Sequence, residues 1–312
     1  MKPKFPNLFI IGAMKAGTSS LHEYLHQHPQ IFMSRFKEPQ YFCPHRLPNG
    51  LLWGEGNPYP EPGIDWYLKL FADVGDAAYA GESTTNYTKM PIVECSAERI
   101  HRFNPDARLI YLMRDPVERT ISHFWWEVTG RRELRPPLRA IQQDPQYTSY
   151  SHYTYQLQPY LDLFGRENIF LLTLEEVQSA AADVFRRLFQ WLGVDDAFLP
   201  DTTQQHNRGT AKPRKLRRGM GWTIPIRQHW RWNRIREKIP QRLRNAADAI
   251  LLKPIDRHQY DMGPVIDYLR EIQLPQTRQL AALLGRWPDE WVTLLPAETK
   301  LADEPQTVSS AT

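Results

Sequence analysis

The sequence predicts an α/β protein in which a central parallel sheet is covered by helices on both faces. Short apolar runs alternate along the chain with segments of helical periodicity, a pattern typical of parallel strands joined by crossover helices. A chain of 312 residues with 41% hydrophobic residues can bury such a core. Strands are predicted at Leu8–Ile11, Arg108–Met113 and Ile169–Leu172, with a weaker one at Ala78–Gly81.

The helices are predicted from apolar stripes and from start and stop signals. Residues 21–25 carry the apolar stripe of a helix that follows the first strand and ends before Pro29. The next clear helix begins with Asp115 as its N-cap and Glu118 completing a capping box. Two further helices are predicted, one that ends at Gly193 and one over Gln276–Leu284.

Charge and composition divide the chain into four predicted parts. Residues 212–244 contain twelve basic residues and one acidic residue, a net charge of +11, whereas the whole chain carries +4. The remainder is therefore acidic, at −7. The predicted parts are an α/β core over 1–199, a basic, aromatic arm or insertion over 200–260, a helical part over 261–295 that returns to the core, and a flexible tail over 296–312.

Several classes of protein are disfavoured by the composition. No segment approaches the roughly 20 apolar residues that a membrane-spanning helix needs, and the amino terminus lacks a signal-peptide core. The two cysteines, Cys43 and Cys95, are expected to be reduced. We therefore expect a cytoplasmic protein that is soluble or peripheral to a membrane. The sequence carries no prediction of an oligomeric state.

The segment Gly12–Ser20 links the first strand to the first helix and predicts a phosphate-binding loop. A tight loop that leads into a helix presents unpaired backbone N–H groups and the positive end of the helix dipole. Gly12 and Gly17 allow close backbone approach, and Thr18 and Ser19 add hydroxyl donors. The loop differs from the nucleoside-triphosphate motif because its lysine, Lys15, precedes the second glycine instead of following it.

Arg114 and Ser122 are predicted to lie at the same edge of the sheet as this loop. Arg114 ends an apolar strand, and Ser122 lies seven residues after the Asp115 cap, nearly two helical turns along the same face. Ligands bind at the carboxyl edge of open parallel sheets. A guanidinium and a hydroxyl there suit a phosphate dianion, although a surface ion pair for Arg114 is the alternative.

Several motifs in order resemble those of the sulfotransferases, and most closely the heparan sulfate N- and O-sulfotransferases and their bacterial relatives. The resemblance covers roughly residues 7–209, with a weaker match at Leu283–Trp291. It is carried by Phe9–Leu21 (FIIGAMKAGTSSL), His28-Pro29, Lys37–Phe42 (KEPQYF), Gly63–Tyr67 (GIDWY), Gly81–Tyr87 (GESTTNY) and Leu112–Ser122 (LMRDPVERTIS). The resemblance implies a three-layer P-loop nucleotide-kinase-like fold and the donor 3′-phosphoadenosine 5′-phosphosulfate (PAPS), with PAP as product.

The same resemblance implies roles for individual residues. Binding of PAPS falls to the phosphate loop, to Arg114 and Ser122 at the 3′-phosphate, and to a basic loop that closes over the nucleotide. These cofactor-binding residues are Lys15, Ala16, Gly17, Thr18, Ser19, Arg114, Ser122, Arg208 and Gly209. The general base is placed at Glu38, with Glu82 as the competing carboxylate. Ser83 stands where the family carries a lysine beside the substrate, which leaves the acceptor class open.

The predicted reaction is in-line transfer of a sulfuryl group from PAPS to a hydroxyl or amine of an unidentified acceptor, with Lys15 neutralising charge at the phosphate. No metal is predicted, because His22, His26 and His28 are expected to be surface side chains of one helix. Two other functions stay open: a non-catalytic basic-aromatic binding protein on a degenerate phosphate-loop scaffold, and an ATP-dependent kinase.

The basic segment 212–244 permits several partners. An anionic glycan or lipid acceptor, or contact with an anionic membrane face, is favoured over nonspecific nucleic acid. A solvated basic face paired with the acidic body is the alternative without a partner. No specific nucleic-acid binding is predicted.

Overall fold

Five strands form one parallel sheet. The computed structural model describes residues 5–43, 63–130, 133–203, 214–216, 240, 242 and 252–295. The strands lie in the order β2-β3-β1-β4-β5, and all four neighbouring pairs are parallel. Their bounds are β1 (Leu8–Gly12), β2 (Ile31–Met33), β3 (Tyr79–Ser83), β4 (Arg108–Met113) and β5 (Ile169–Thr173). Every residue of β1 is buried, as expected for the centre of a sheet covered on both faces.

Helices flank this sheet, which confirms the predicted fold class. They are α1 (Thr18–His26), α2 (Ile64–Lys69), α3 (Ser96–Phe103), α4 (Pro116–Thr129), α5 (Pro137–Gln143), α6 (Gln146–Ser149), α7 (Tyr153–Phe164), α8 (Leu174–Ser179), α9 (Ala181–Leu192) and α10 (Gly263–Leu284). Short 3₁₀ turns lie at Thr85–Thr88, Arg166–Asn168 and Arg257–Gln259. Within the described ranges, no helix has both the length and the apolar character needed to cross a membrane.

Two strands differ from the sequence prediction. Strand β2 was not predicted, because three residues directly after a helix are too few to show a strand period. Within the predicted arm or insertion over 200–260, for which no strand was predicted, Arg214–Leu216 forms β6 and pairs antiparallel with β7 (Leu252–Pro254). The weak strand predicted at 78–81 is confirmed as β3.

Helix α10 is longer than predicted. The prediction began at Gln276, directly after Pro275, but the helix starts at Gly263 and runs through that proline. Its buried stripe spans both sides of Pro275, with Leu269 before it and Leu280 after it. Packing of this stripe outweighs the local cost of the proline, which is about 3 kcal/mol in a helix interior.

The start of α4 confirms one predicted contact and corrects another. Asp115 is the N-cap and its Oδ1 accepts hydrogen bonds from Val117 N at 2.9 Å and Glu118 N at 3.3 Å. The capping box is wrong, because the Glu118 carboxylate pairs instead with Arg114 Nη2 at 3.0 Å. The backbone N–H of Asp115 donates to Glu175 Oε1 at 3.0 Å, so another side chain satisfies it.

Residues near the end of the described chain pack onto this helix start. Asp115 Oδ2 accepts hydrogen bonds from the backbone N–H groups of Thr293 and Leu294, each at 2.9 Å. Trp291 is fully buried, and its Nε1 donates to Glu175 Oε2 at 3.2 Å. These contacts join residues 291–295 to the strand end that carries Arg114. The division of the chain into four parts stays a prediction.

Candidate active site

The central strand β1 lies between β3 and β4, and the carboxyl ends of these three strands meet at one edge of the sheet. The next two strands of the chain, β2 and β3, lie on one side of β1, and β4 and β5 lie on the other. This reversal of direction makes the edge a switch point, where open α/β sheets bind ligands. A cleft of about 1140 Å³ opens there. This volume is slightly above the range of about 300–1,000 Å³ that is usual for ligand sites, so the cleft has room for more than a nucleotide.

The predicted phosphate loop forms one wall of the cleft. Lys15, Gly17, Thr18 and Ser19 all line it. Gly17 precedes α1 with a φ of 100°, and no side chain among the described residues caps that helix start. Its N-terminal N–H groups and dipole therefore face the cleft, which favours an anion. Ala16 does not line the cleft: its side chain is buried in the core, and its N–H donates to Ala13 O at 3.2 Å.

The backbone of Lys15 has a φ of 71°, in the left-handed region that residues other than glycine rarely adopt. It is half-buried. Burial lowers its pKa, and the neighbouring charges of Arg114, Arg119 and Arg257 lower it further. These cations repel one another, and an anion that binds among them in the cleft offsets this repulsion.

Arg114 and Ser122 lie together in the cleft, as the sequence predicted. The Tyr153 hydroxyl donates to Arg114 O at 2.6 Å and fixes the backbone at the end of β4. The Arg114 guanidinium forms an i, i+4 ion pair with Glu118, so the alternative of a surface ion pair is also present. This pair is partly exposed and is worth only about 0.3–0.5 kcal/mol, which leaves the guanidinium able to bind a phosphate dianion.

Glu38 lines the same cleft as the loop. Its φ of 62° is also left-handed, and its backbone N–H donates to Ser83 O at 2.9 Å, which attaches it to the end of β3. Glu38 Oε2 accepts from Thr85 N at 2.9 Å, and Oε1 forms an ion pair with Lys37 Nζ at 2.7 Å. These contacts fix the position of the carboxylate at the cleft, as the geometry of a general base requires.

Glu82 lies behind Glu38 and does not line the cleft. It is fully buried, and three hydroxyl groups donate to it: Tyr67 at 2.7 Å, Tyr87 at 2.8 Å and Thr84 at 2.7 Å. Burial raises the pKa of Glu82 to about 7, although these hydrogen bonds oppose the shift. Its geometry gives it no access to a substrate.

Ser83, the residue after Glu82, does not line the cleft. Ser83 is fully buried, and its hydroxyl donates to His22 Nδ1 at 2.7 Å, while His22 Nε2 donates to Ser34 O at 3.1 Å. His22 is therefore a core residue whose burial lowers its pKa to about 4.

The prediction that His22, His26 and His28 are surface side chains of one helix was wrong for two of them. His22 is buried within α1, and His28 is buried beyond its end, where the ring centroid of Phe189 lies 4.5 Å from its own. Of the three, His26 alone is exposed. The helical period of the sequence did not reveal that His22 and His28 are enclosed by core residues. No group of three His, Cys, Asp or Glu side chains in the described ranges is arranged to hold a metal ion.

Sequence reasoning missed several residues of the cleft. Lys89 lines it just beyond the 3₁₀ turn, Trp126 lines it from α4, and Arg257 reaches it from the carboxyl-terminal part of the chain. The Arg257 guanidinium lies 5.3 Å above the ring of Trp125. No local motif marks these residues, because only the tertiary fold brings them to this edge.

The remaining predicted site residues lie outside the described residues. Arg208 and Gly209, assigned to the loop that closes over the nucleotide, belong to the segment 204–213, and most of the basic segment 212–244 is likewise not described. Their roles stay predictions.

The chain is similar to known sulfotransferases over most of its length. The family described as the sulfotransferase family matches residues 6–198. The crystal structure of a sulfotransferase from Alicyclobacillus acidocaldarius aligns with 92% of this chain and 98% of that chain, at 26% identity and a TM-score of 0.64. Heparan sulfate glucosamine 3-O-sulfotransferase 6 of Mus musculus is 26% identical over 280 residues, which are 83% of this chain and 72% of that protein.

A second relative shares a shorter and more similar segment. The membrane-associated sulfotransferase kil1 of Dictyostelium discoideum is 36% identical over 137 residues. That match covers 43% of this chain and 26% of kil1, so the chain corresponds to about a quarter of that longer relative.

Proposed function

The chain belongs to the sulfotransferase family, and from this premise we propose that it transfers a sulfuryl group from PAPS to a hydroxyl or amine of an acceptor in the cleft beside β1. The family match over residues 6–198 confirms the predicted enzyme class. The observation that carries the proposal is that Lys15, Glu38, Arg114 and Ser122, distant in the sequence, line the same cleft. A scaffold that only held a partner would need none of them.

The residues present fit a nucleotide that carries two phosphate groups. Lys15 and the uncapped start of α1 suit the 5′-phosphate, and Arg114 with Ser122 suits the 3′-phosphate. Gly17 has a φ of 100°, which residues with a side chain rarely adopt, and without a side chain its backbone can approach the 5′-phosphate closely. PAPS, when bound, supplies the activated sulfuryl group.

The side chains of the protein then have separate roles in the transfer. The Glu38 carboxylate accepts the proton that the acceptor hydroxyl or amine loses as its new bond to sulfur forms. Lys15 and the N–H groups at the start of α1 stabilise the negative charge that remains on the phosphate side. One preorganised donor of this kind is worth about 3–4 kcal/mol in the barrier. Glu82 acts as a positioning residue, because Thr84, which it holds, accepts from the backbone N–H of Gln40 at 3.3 Å.

Phosphate transfer from ATP is the second candidate, and the loop argues against it. Lys15 precedes Gly17, and Thr18 occupies the place of the lysine that contacts the β- and γ-phosphates in triphosphate loops. A glycan or lipid acceptor, membrane contact through residues 212–244 and a cytoplasmic location belong to the proposal. The net charge of +11 in that segment supports the anionic acceptor and the membrane contact.

The proposal is tested by incubating the purified chain with ³⁵S-labelled PAPS and an extract that contains glycans, lipids and small alcohols. We expect label in an acceptor fraction together with release of PAP, and loss of both in the Lys15→Ala variant. Label that moves only from γ-³²P-labelled ATP with magnesium would identify a kinase instead.

A further inference from the structure

Lys89 is a cation of the cleft that the proposed reaction does not use. It follows the turn Thr85–Thr88, is half-buried, and lines the cleft. The same turn contacts Glu38, whose Oε2 accepts from Thr85 N at 2.9 Å. The Nζ of Lys89 lies 5.6 Å above the ring centroid of Tyr150. Throughout the described part of the chain, no carboxylate or hydrogen-bond acceptor pairs with that ammonium group. Lys37 and Arg114, by contrast, each have a carboxylate partner.

Among the charged groups around Lys89, Glu38 has the strongest influence on its pKa, whereas Arg119 lowers the pKa of both Lys89 and Lys15. Lys15 is influenced by Arg114, Arg119 and Arg257. Burial lowers the pKa of Lys89 to about 8, and the charge that most opposes this shift is that of Glu38. Lys89 therefore belongs to the part of the cleft in which the base lies, where an acceptor must sit for Glu38 to take its proton.

The support beneath Lys89 is rigid and aromatic. Tyr150 is buried and stacks on His123, with ring centroids 5.6 Å apart and planes at 20°. His123 also contacts Trp126 of α4, at 6.3 Å between ring centroids. Trp126 is 42% exposed and, like Lys89, lines the cleft.

A half-buried ammonium without a partner is costly, and the cost is offset when a ligand brings the missing anion. An indole face beside it provides the apolar surface on which a sugar ring can lie. We propose that Lys89 is an acceptor-binding residue that pairs with a carboxylate or sulfate group of an acidic sugar, while Trp126 packs against the ring. This inference rests on the proposed function, since it places the acceptor beside Glu38.

The first test measures how fast the Lys89 side chain is acetylated. The PAP-saturated protein is treated with trace acetic anhydride, and acetylation of each lysine is followed by peptide mass spectrometry. The probes are a tetrasaccharide of alternating glucuronate and N-acetylglucosamine, the neutral tetramer of N-acetylglucosamine, and vesicles that contain phosphatidylserine. We expect the acidic tetrasaccharide alone to slow acetylation of Lys89, while Lys69, an exposed lysine at the end of α2, reacts at an unchanged rate.

The second test measures affinity by calorimetry with PAP bound. A charge-assisted hydrogen bond predicts that the wild-type protein binds the acidic tetrasaccharide about 10-fold more tightly than the neutral one. Lys89→Met should remove this preference, Lys89→Arg should keep most of it, and Lys69→Met should not change it.

The outcomes separate the inference from the function on which it rests. Equal binding of the two tetrasaccharides, a preference that survives in Lys89→Met, or protection of Lys89 by the vesicles and not by the acidic tetrasaccharide would each overturn the role of Lys89 while PAP still binds. Failure of the wild-type protein to bind PAP would instead remove the proposed function, and this inference with it.

Discussion

Glu38 and Glu82 are two carboxylates at the same sheet edge with different environments. Glu38 is half-buried, borders the cleft and is held by Lys37 and Thr85. Glu82 is fully buried among the hydroxyl groups of Tyr67, Thr84 and Tyr87. The sequence supplied both as candidates for the base, because each follows a recognisable motif. The resemblance placed the base at Glu38, but the sequence could not show that Glu82 is buried, since its burial depends on residues such as Tyr67 that come from another part of the chain.

The raised pKa of Glu82 predicts a pH-dependent stability. The folded protein binds a proton at Glu82 more tightly than the unfolded chain does, so this stabilisation is complete below about pH 4.5 and is lost as the pH rises through about 7. Relative to Glu82→Gln, which does not titrate, the wild-type protein should lose up to about 3 kcal/mol of unfolding free energy between about pH 5 and pH 8. Urea denaturation of both proteins across this range measures the difference.

A suitable control for that series is Glu23→Gln, which changes an exposed carboxylate on α1. This variant should follow the wild-type pH dependence. A free-energy difference between wild type and Glu82→Gln that stays constant with pH would show that Glu82 does not carry the proton.

Arg114 is predicted to distinguish PAP from nucleotides that lack the 3′-phosphate. We expect Arg114→Ala to weaken the binding of PAP by about 1.5–3 kcal/mol and to change the affinity for adenosine 5′-phosphate little. The reason is that the charged hydrogen bond that is lost forms only with the 3′-phosphate of PAP. Calorimetric titration with both nucleotides measures this selectivity, with Arg186→Ala on the exposed surface of α9 as the control. A preference for PAP that is unchanged in Arg114→Ala would remove the assignment.

At the scale of elements, the phosphate loop depends on the conformation of Gly17. Alanine at this position must adopt a φ near 100° and places its Cβ 2.9 Å from Leu174 Cδ1. We expect Gly17→Ala to destabilise the fold by about 1–3 kcal/mol and to weaken PAP binding, because alanine is strained at this φ and the loop must change its backbone conformation to relieve the strain.

The matched control is Gly285→Ala at the end of α10. Gly285 is also left-handed, with a φ of 68°, but a Cβ there meets no atom within 4 Å. Gly285→Ala should lose stability without any change in PAP affinity. If Gly17→Ala binds PAP as tightly as the Gly285 variant does, the loop is not the phosphate site.

The elements that the sequence predicted are those with local signals. A buried apolar strand followed by glycines and hydroxyl residues identified β1 and the loop, and Asp115-Pro116 identified the start of α4. Strand β2 is three residues long and showed no period, and the proline in α10 was a misleading signal for a helix start. Lys89 was missed because its significance depends on Tyr150, which no spacing rule relates to it.

At the scale of the whole molecule, residues 291–294 form hydrogen bonds with the residues that support the end of β4. The backbone of Thr293 and Leu294 donates to Asp115, the residue next to Arg114, and buried Trp291 bonds to Glu175, which satisfies the N–H of Asp115. The sequence predicted that residues 261–295 return to the core, but it could not show that they do so at the strand end that carries Arg114. Nucleotide binding is therefore expected to stabilise the entire fold.

This coupling predicts a response to ligands in thermal or urea unfolding. At about 100 times its dissociation constant, PAP should raise the unfolding free energy by about 2.7 kcal/mol. ATP with magnesium at the same concentration should raise it much less, because the loop lacks the lysine that follows the second glycine of triphosphate sites. Stabilisation by ATP with magnesium and not by PAP would contradict the assignment of the donor.

The central claim is that Glu38 in the cleft, and not the buried Glu82, removes the acceptor proton. It is tested by measuring PAPS-dependent sulfuryl transfer and PAP affinity for Glu38→Gln and Glu82→Gln side by side. We predict that both variants bind PAP like the wild type, that Glu38→Gln loses about 100-fold or more in transfer rate, and that Glu82→Gln retains most of it. Loss of transfer in Glu82→Gln with near-normal transfer in Glu38→Gln would contradict this account.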